Sequence, residues 1–128
     1  MRQDLANHIN PAFSLPPASR TAAANGTGVD LAGFDAAAIV IEAGAAGGTT
    51  PSFTFEVQDS DDNTTFTPVS SDFLEGTEPV ITAGNSITKL GYHGIKRYVR
   101  VAITAAAGSS PTLLCSALVI RGKGRVKP

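Results

Sequence analysis

GYHGIKRYVRVAIT, residues 91–104, is the stretch whose reading decides the fold. Read as an extended strand, it puts Ile95, Arg97, Val99, Val101 and Ile103 on one side. Lys96, Tyr98, Arg100, Ala102 and Thr104 fall on the other. A period of two means that one face packs while the other meets water or a partner. Two cations and a tyrosine on the outward face suit a contact surface better than a catalytic pocket.

The same alternation recurs upstream. In residues 52–58, Phe53, Phe55 and Val57 point one way and Thr54, Glu56 and Gln58 the other, a half-buried strand. The polar run Asp59-Ser-Asp-Asp-Asn63 then predicts a tight turn, with residues 64–69 returning as the hairpin partner. Residues 36–42 form a further strand, separated from 52–58 by the linker at Gly44–Gly48. Asn25-Gly26 signals a turn, 86–90 a short strand, and 70–84 an irregular stretch whose Phe73 and Leu74 cover an edge. Gly108-Ser-Ser-Pro111 predicts the last turn. The closing strand, 112–121, is apolar on both faces, which places it centrally in a sheet.

No 12-residue window carries a 3.6-residue stripe. Seven or eight short strands with Gly, Pro and Asp turns predict an all-β protein, a single antiparallel β-sandwich or barrel. Residues 1–18 read as an extended N-terminal arm, because Pro11, Pro16 and Pro17 oppose a helix or a central strand while Ile9, Phe13 and Leu15 offer apolar anchors. Residues 19–121 make the domain and 122–128 a basic tail.

The chain has 128 residues, one domain by length, with no Trp and six Phe. Its net charge of −1 hides an asymmetry. All 11 acidic residues lie between Asp4 and Glu78, and eight of the 10 basic residues follow position 88, so the first 88 residues carry −9 and the last 40 carry +8. Either strands from both parts interleave and neutralise locally, or the surface is bipolar and docks complementary neighbours.

Known chemistries find little footing. The single cysteine, Cys115, excludes an intrachain disulfide and reads as a small buried hydrophobe. Asp59, Asp61 and Asn63 match the first oxygen positions of a calcium loop, but Thr64 stands at the turn glycine and Ser70 at the closing glutamate. His8 and His93 lack neighbours at metal-ligand spacing. There is no nucleophile elbow, and the glycine run 44–48 lacks the lysine of a phosphate loop. The expectation is a protein without enzymatic activity, cofactor or metal. The tail holds Arg121, Lys123, Arg125 and Lys127 with no aromatic to stack on bases, so a protein surface suits it better than nucleic acid. No apolar segment has signal-peptide length, and 36–41 is too short to span a bilayer, so no membrane partner and a cytoplasmic site of assembly are expected.

Three pieces, VDLAGF (29–34) leading into AAAIVI (36–41), FEVQDSDDNTTF (55–66) and GYHGIKRYVRV (91–101), together resemble a family of small proteins encoded beside the major capsid protein in tailed phages, prophages and gene transfer agents. Asn10-Pro-Ala-Phe13 and the basic end after Ile120 also fit. The resemblance implies a capsid decoration, or cement, protein on the outer surface of the virion head, partnered by the major capsid protein and by itself as a homo-oligomer. A trimer is favoured and a pentamer possible. Alternatives are another virion component (head spike base, head–tail joining or tail subunit) or a carbohydrate-binding β-sandwich. For the cement reading, the expected contacts are Leu5, Ile9, Phe13 and Leu15 of the arm, Lys96, Tyr98 and Arg100 of the strand face, and Arg121, Lys123 and Arg125 of the tail.

Overall fold

A computed structural model describes residues 3–124. The chain is all-β, with nine antiparallel strands in one open sheet among the described residues. They are β1 (Ile9–Arg20), β2 (Ala24–Asn25), β3 (Val29–Asp30), β4 (Phe34–Ser60), β5 (Thr67–Pro68), β6 (Leu74–Glu75), β7 (Val80–Ile81), β8 (Ser86–Tyr92) and β9 (Tyr98–Gly124). The main path runs β1-β9-β4-β8-β6, with β2 and β3 on β9 and β5 and β7 on β4.

Its frame is one ribbon. β4 and β9 are each 27 residues long and stay paired from Phe34↔Gly124 to Ser60↔Tyr98. The expected breaks at Gly44–Gly48 and Gly108–Pro111 are bulges within continuous strands, not reversals of the chain. There Gly48 (φ +89) and Thr50 (φ +48) face Gly108 (φ +112) and Ser110 (φ +48), four left-handed residues in two facing pairs. A Cβ on Gly48 would lie 2.4 Å from the Ser110 carbonyl oxygen, and one on Gly108 2.6 Å from that of Thr50. Bulges of this kind bend and twist a ladder. The ribbon thereby folds over one core.

That core takes alternate residues from both ends of both strands. Ile39, Ile41, Phe53, Phe55 and Val57 come from β4, and Val99, Val101, Ile103, Leu113, Ala117 and Val119 from β9, all in a single cluster. Cys115 lies within it, and burial pushes its thiol pKa up. Val99, Val101 and Ile103 are buried as the alternation predicts. The strand begins only at Tyr98, however, so Ile95 stands in the preceding loop and is 97% exposed. Residues 9–20 are not a free arm: β1 pairs with β9 from Ile9↔Gly122 to Arg20↔Leu113. The prolines sit at this sheet edge, where a missing N–H costs no ladder bond. Of the expected tail, Gly122 and Lys123 extend β9, while Arg125 lies outside the described residues.

Side chains stitch the free edges of the folded ribbon. Ser14, fully buried in β1, donates through Oγ to the Thr27 carbonyl (2.9 Å) and accepts from the Val101 N–H (2.8 Å). It fills the gap where the chain between β2 and β3 leaves the β9 ladder. Gly26 is required there, because a Cβ would lie 2.3 Å from the Val101 carbonyl oxygen.

Candidate docking surface

The inner side of the ribbon is apolar up to the buried Asp59, but its outer side changes character at the bend. In the half formed by residues 52–60 and 98–107, the outward positions are Thr54, Glu56, Gln58, Tyr98, Arg100, Ala102 and Thr104, of which Ala102 is fully buried. Arg100 Nε donates to Gln58 Oε1 (2.8 Å), and its guanidinium lies 4.0 Å over the Phe66 ring. Partial burial lowers its pKa. Arg97 stacks 5.2 Å from the Tyr98 ring, and Lys96 Nζ lies 3.4 Å from Thr67 Oγ1 and 3.8 Å from Asp59 Oδ1. Lys96, Tyr98 and Arg100 therefore share one region, each already held by a neighbour.

In the other half, formed by residues 34–43 and 113–124, the outward positions are apolar apart from the Glu42↔Ser116 pair. Register puts Val40 beside Leu118 and Ala38 beside Ile120, then Phe13 beside Leu118 and Pro11 beside Ile120. None of these residues belongs to the core cluster or packs against it. Phe13 is 51% exposed, Leu114 49% and Ile87, opposite Glu42, 74%. Ile9, Pro11, Phe13, Val40, Leu118 and Ile120 thus form an apolar patch on the outside of three adjacent strands, β1, β9 and β4, with Ile87 beside it on β8.

The predicted anchors separate. Ile9 and Phe13 reach this outer patch, and Leu5 is exposed before the first 3-10 turn. Leu15 is a core residue, 1% exposed, and is closed to any partner because β1 turns it inward beside Ala117. Arg121 is half-buried: it donates to the Asn10 and Asp30 carbonyls (3.2 and 3.0 Å) and to Asn10 Oδ1 (3.0 Å), 5.0 Å over the Phe34 ring. It ties the strand ends together. Lys123 is exposed at φ +50.

The segregated charges meet across the fold. Asp30 accepts a bidentate bond from Arg97 (2.9 Å twice), Asp59 lies near Lys96, and Glu75 contacts the His93 ring. Each pair joins the acidic part of the chain to the basic part. The Arg97 guanidinium holds the Asp30 carboxyl down to about 2. The other Asp59 oxygen, Oδ2, accepts from the buried Tyr92 hydroxyl. Asp62 caps the turn by accepting from the Thr64 and Thr65 N–H groups, which hold its pKa at about 2. Among the described residues no three His, Cys, Asp or Glu side chains are grouped to hold a metal ion, and no helix is long and apolar enough to cross a membrane. A groove of about 450 Å³ opens at one end between Leu31, Phe34, Ala37, Tyr92, Ile95 and Arg97.

Val40, Leu118, Ile120 and Ile87 were not among the residues anticipated. For Leu118 and Ile120 the signal was the doubly apolar pattern of 112–121, which reads as a strand covered on both faces. The strand is indeed central by hydrogen bonding, yet on its outer face Leu114 is exposed and Leu118 and Ile120 are half-buried, and only Ser116 is covered among the described residues. No protein-family model and no curated protein matches the sequence.

Proposed function

We propose that this chain is a capsid decoration, or cement, subunit that binds the outer surface of an icosahedral tailed-phage head and strengthens contacts between capsomers. Its partners are then the major capsid protein and further copies of itself, and its place is the virion surface. The observation that carries the reading is the change of the ribbon's outer side from polar and cationic to apolar. One rigid body thereby offers unlike surfaces to unlike neighbours. The cationic region suits the shell contact, because Arg100 is already clamped between Gln58 and Phe66 and loses little freedom on docking. Repetition over a shell also lowers the affinity that each contact needs.

The test is cosedimentation with purified heads that lack the protein. Wild type should bind saturably, at a copy number fixed by the shell lattice. Lys96→Gln with Arg100→Gln should weaken binding at least about tenfold while circular dichroism shows the variant still folded. Failure to bind heads, or binding confined to tails, would reject the proposal.

A further inference from the structure

We infer that the apolar outer patch is the interface with a second copy of this chain, packed sheet face against sheet face about a two-fold axis. The patch spans β1, β9, β4 and β8, from the Ile9↔Gly122 pair towards Leu114. Four strands about 4.8 Å apart and about eight residues of 3.3 Å each cover roughly 500 Å². Two copies joined through it bury about 1,000 Å² in total, the lower bound for a specific interface.

The charges on this face are self-complementary. Glu42 lies opposite Ile87 and Lys89 opposite Val40, so an acid and a base occupy diagonal positions among the apolar residues. Both are exposed, and among the described residues neither is in an ion pair. In a two-fold contact Glu42 of each copy can meet Lys89 of the other, which is the reciprocity an isologous interface requires. The polar half of the same ribbon supplies the contrast. Thr54, Glu56, Gln58 and Arg100 occupy the corresponding outward positions there, so the apolar residues are a feature of one half and not of the ribbon as such. Growth through the β1 edge is disfavoured by Pro11, Pro16 and Pro17, which leaves the face as the route of association. This pairing does not depend on the decoration reading. It replaces the threefold or fivefold contact implied by the family resemblance.

Sedimentation velocity of the purified full chain from about 1 to 100 μM tests it. The expected species is twice the 13.1 kDa protomer. Leu118→Lys should give a monomer, whereas Val80→Asp, at an exposed apolar position on β7, should leave the dimer intact. Glu42→Lys, a surface change that does not threaten folding, should raise the dimer dissociation constant at least about tenfold, and Glu42→Lys with Lys89→Glu should restore it. Circular dichroism confirms that each variant is folded. A monomer at 100 μM, a trimer or pentamer, or a dimer indifferent to Glu42→Lys would overturn the inference. So would monomers that bind phage shells through this face.

Discussion

The Tyr92 hydroxyl donates a 2.8 Å hydrogen bond to Asp59 Oδ2, joining the end of β8 to the end of β4 across the folded ribbon. Both residues are buried, at 5% and 7% exposed. Burial first, and the facing carboxylate second, push the phenol well above its ordinary pKa, so Tyr92 stays a neutral donor. This bond closes one side of the ribbon much as Ser14 closes the other.

Tyr92→Phe should cost about 1–3 kcal/mol in urea unfolding, since it leaves the Asp59 carboxylate buried without its donor and with only Lys96 nearby. The double variant with Asp59→Asn should cost less than the two single losses added together. Strict additivity would show that the pair is not coupled.

Ser14→Ala removes the only side chain that serves the Val101 N–H. An orphaned buried amide costs about 1–3 kcal/mol. Native-state hydrogen exchange should show the Val101 amide exchanging faster, with amides of the β4–β8 ladder changed only by the global loss.

Gly108→Ala forces a Cβ into the left-handed bulge and against the Thr50 carbonyl oxygen. Strain of this kind costs about 1–3 kcal/mol. Calorimetry should show a lower melting temperature, whereas Gly33→Ala, with open space at its Cβ, should pay for its positive φ alone and fall less.

Asp30→Asn should be felt at neutral pH and not in acid. The folded-state pKa of about 2 lies below the unfolded value of 3.8, so the Arg97 pair stabilises fully above about pH 4 and fades as pH falls towards 2. Because the pair is partly exposed, screening limits the loss to about 1 kcal/mol. Urea midpoints of wild type and variant should differ at pH 7 and converge near pH 2. A constant difference would sever the effect from the ion pair.

Truncation separates an expectation from the fold. A free arm over residues 1–18 could be removed from a folded body, but deletion of residues 1–15 takes buried Ser14 and Leu15 with it. Such a protein should lose its cooperative unfolding transition.

Period-two alternation in residues 52–58 and 99–103 was enough to establish strands, their inward faces and an all-β class, because side-chain direction along an extended backbone is a local property. The hairpin at residues 59–68 followed from Asp and Asn turn chemistry, again local. Nothing local could tell a chain-reversing loop at Gly44–Gly48 from a bulge within one long strand; that depended on the facing bulge at Gly108–Ser110, about 60 residues away, with which it is paired. The prolines of β1 spoke against a central strand and were silent on an edge strand, and only the partner β9 decided between them. The apolar outer side of 112–121 was likewise visible as composition. Whether it would be buried was decided by how the ribbon folds, since one bend can bring only one face of each strand onto a shared core.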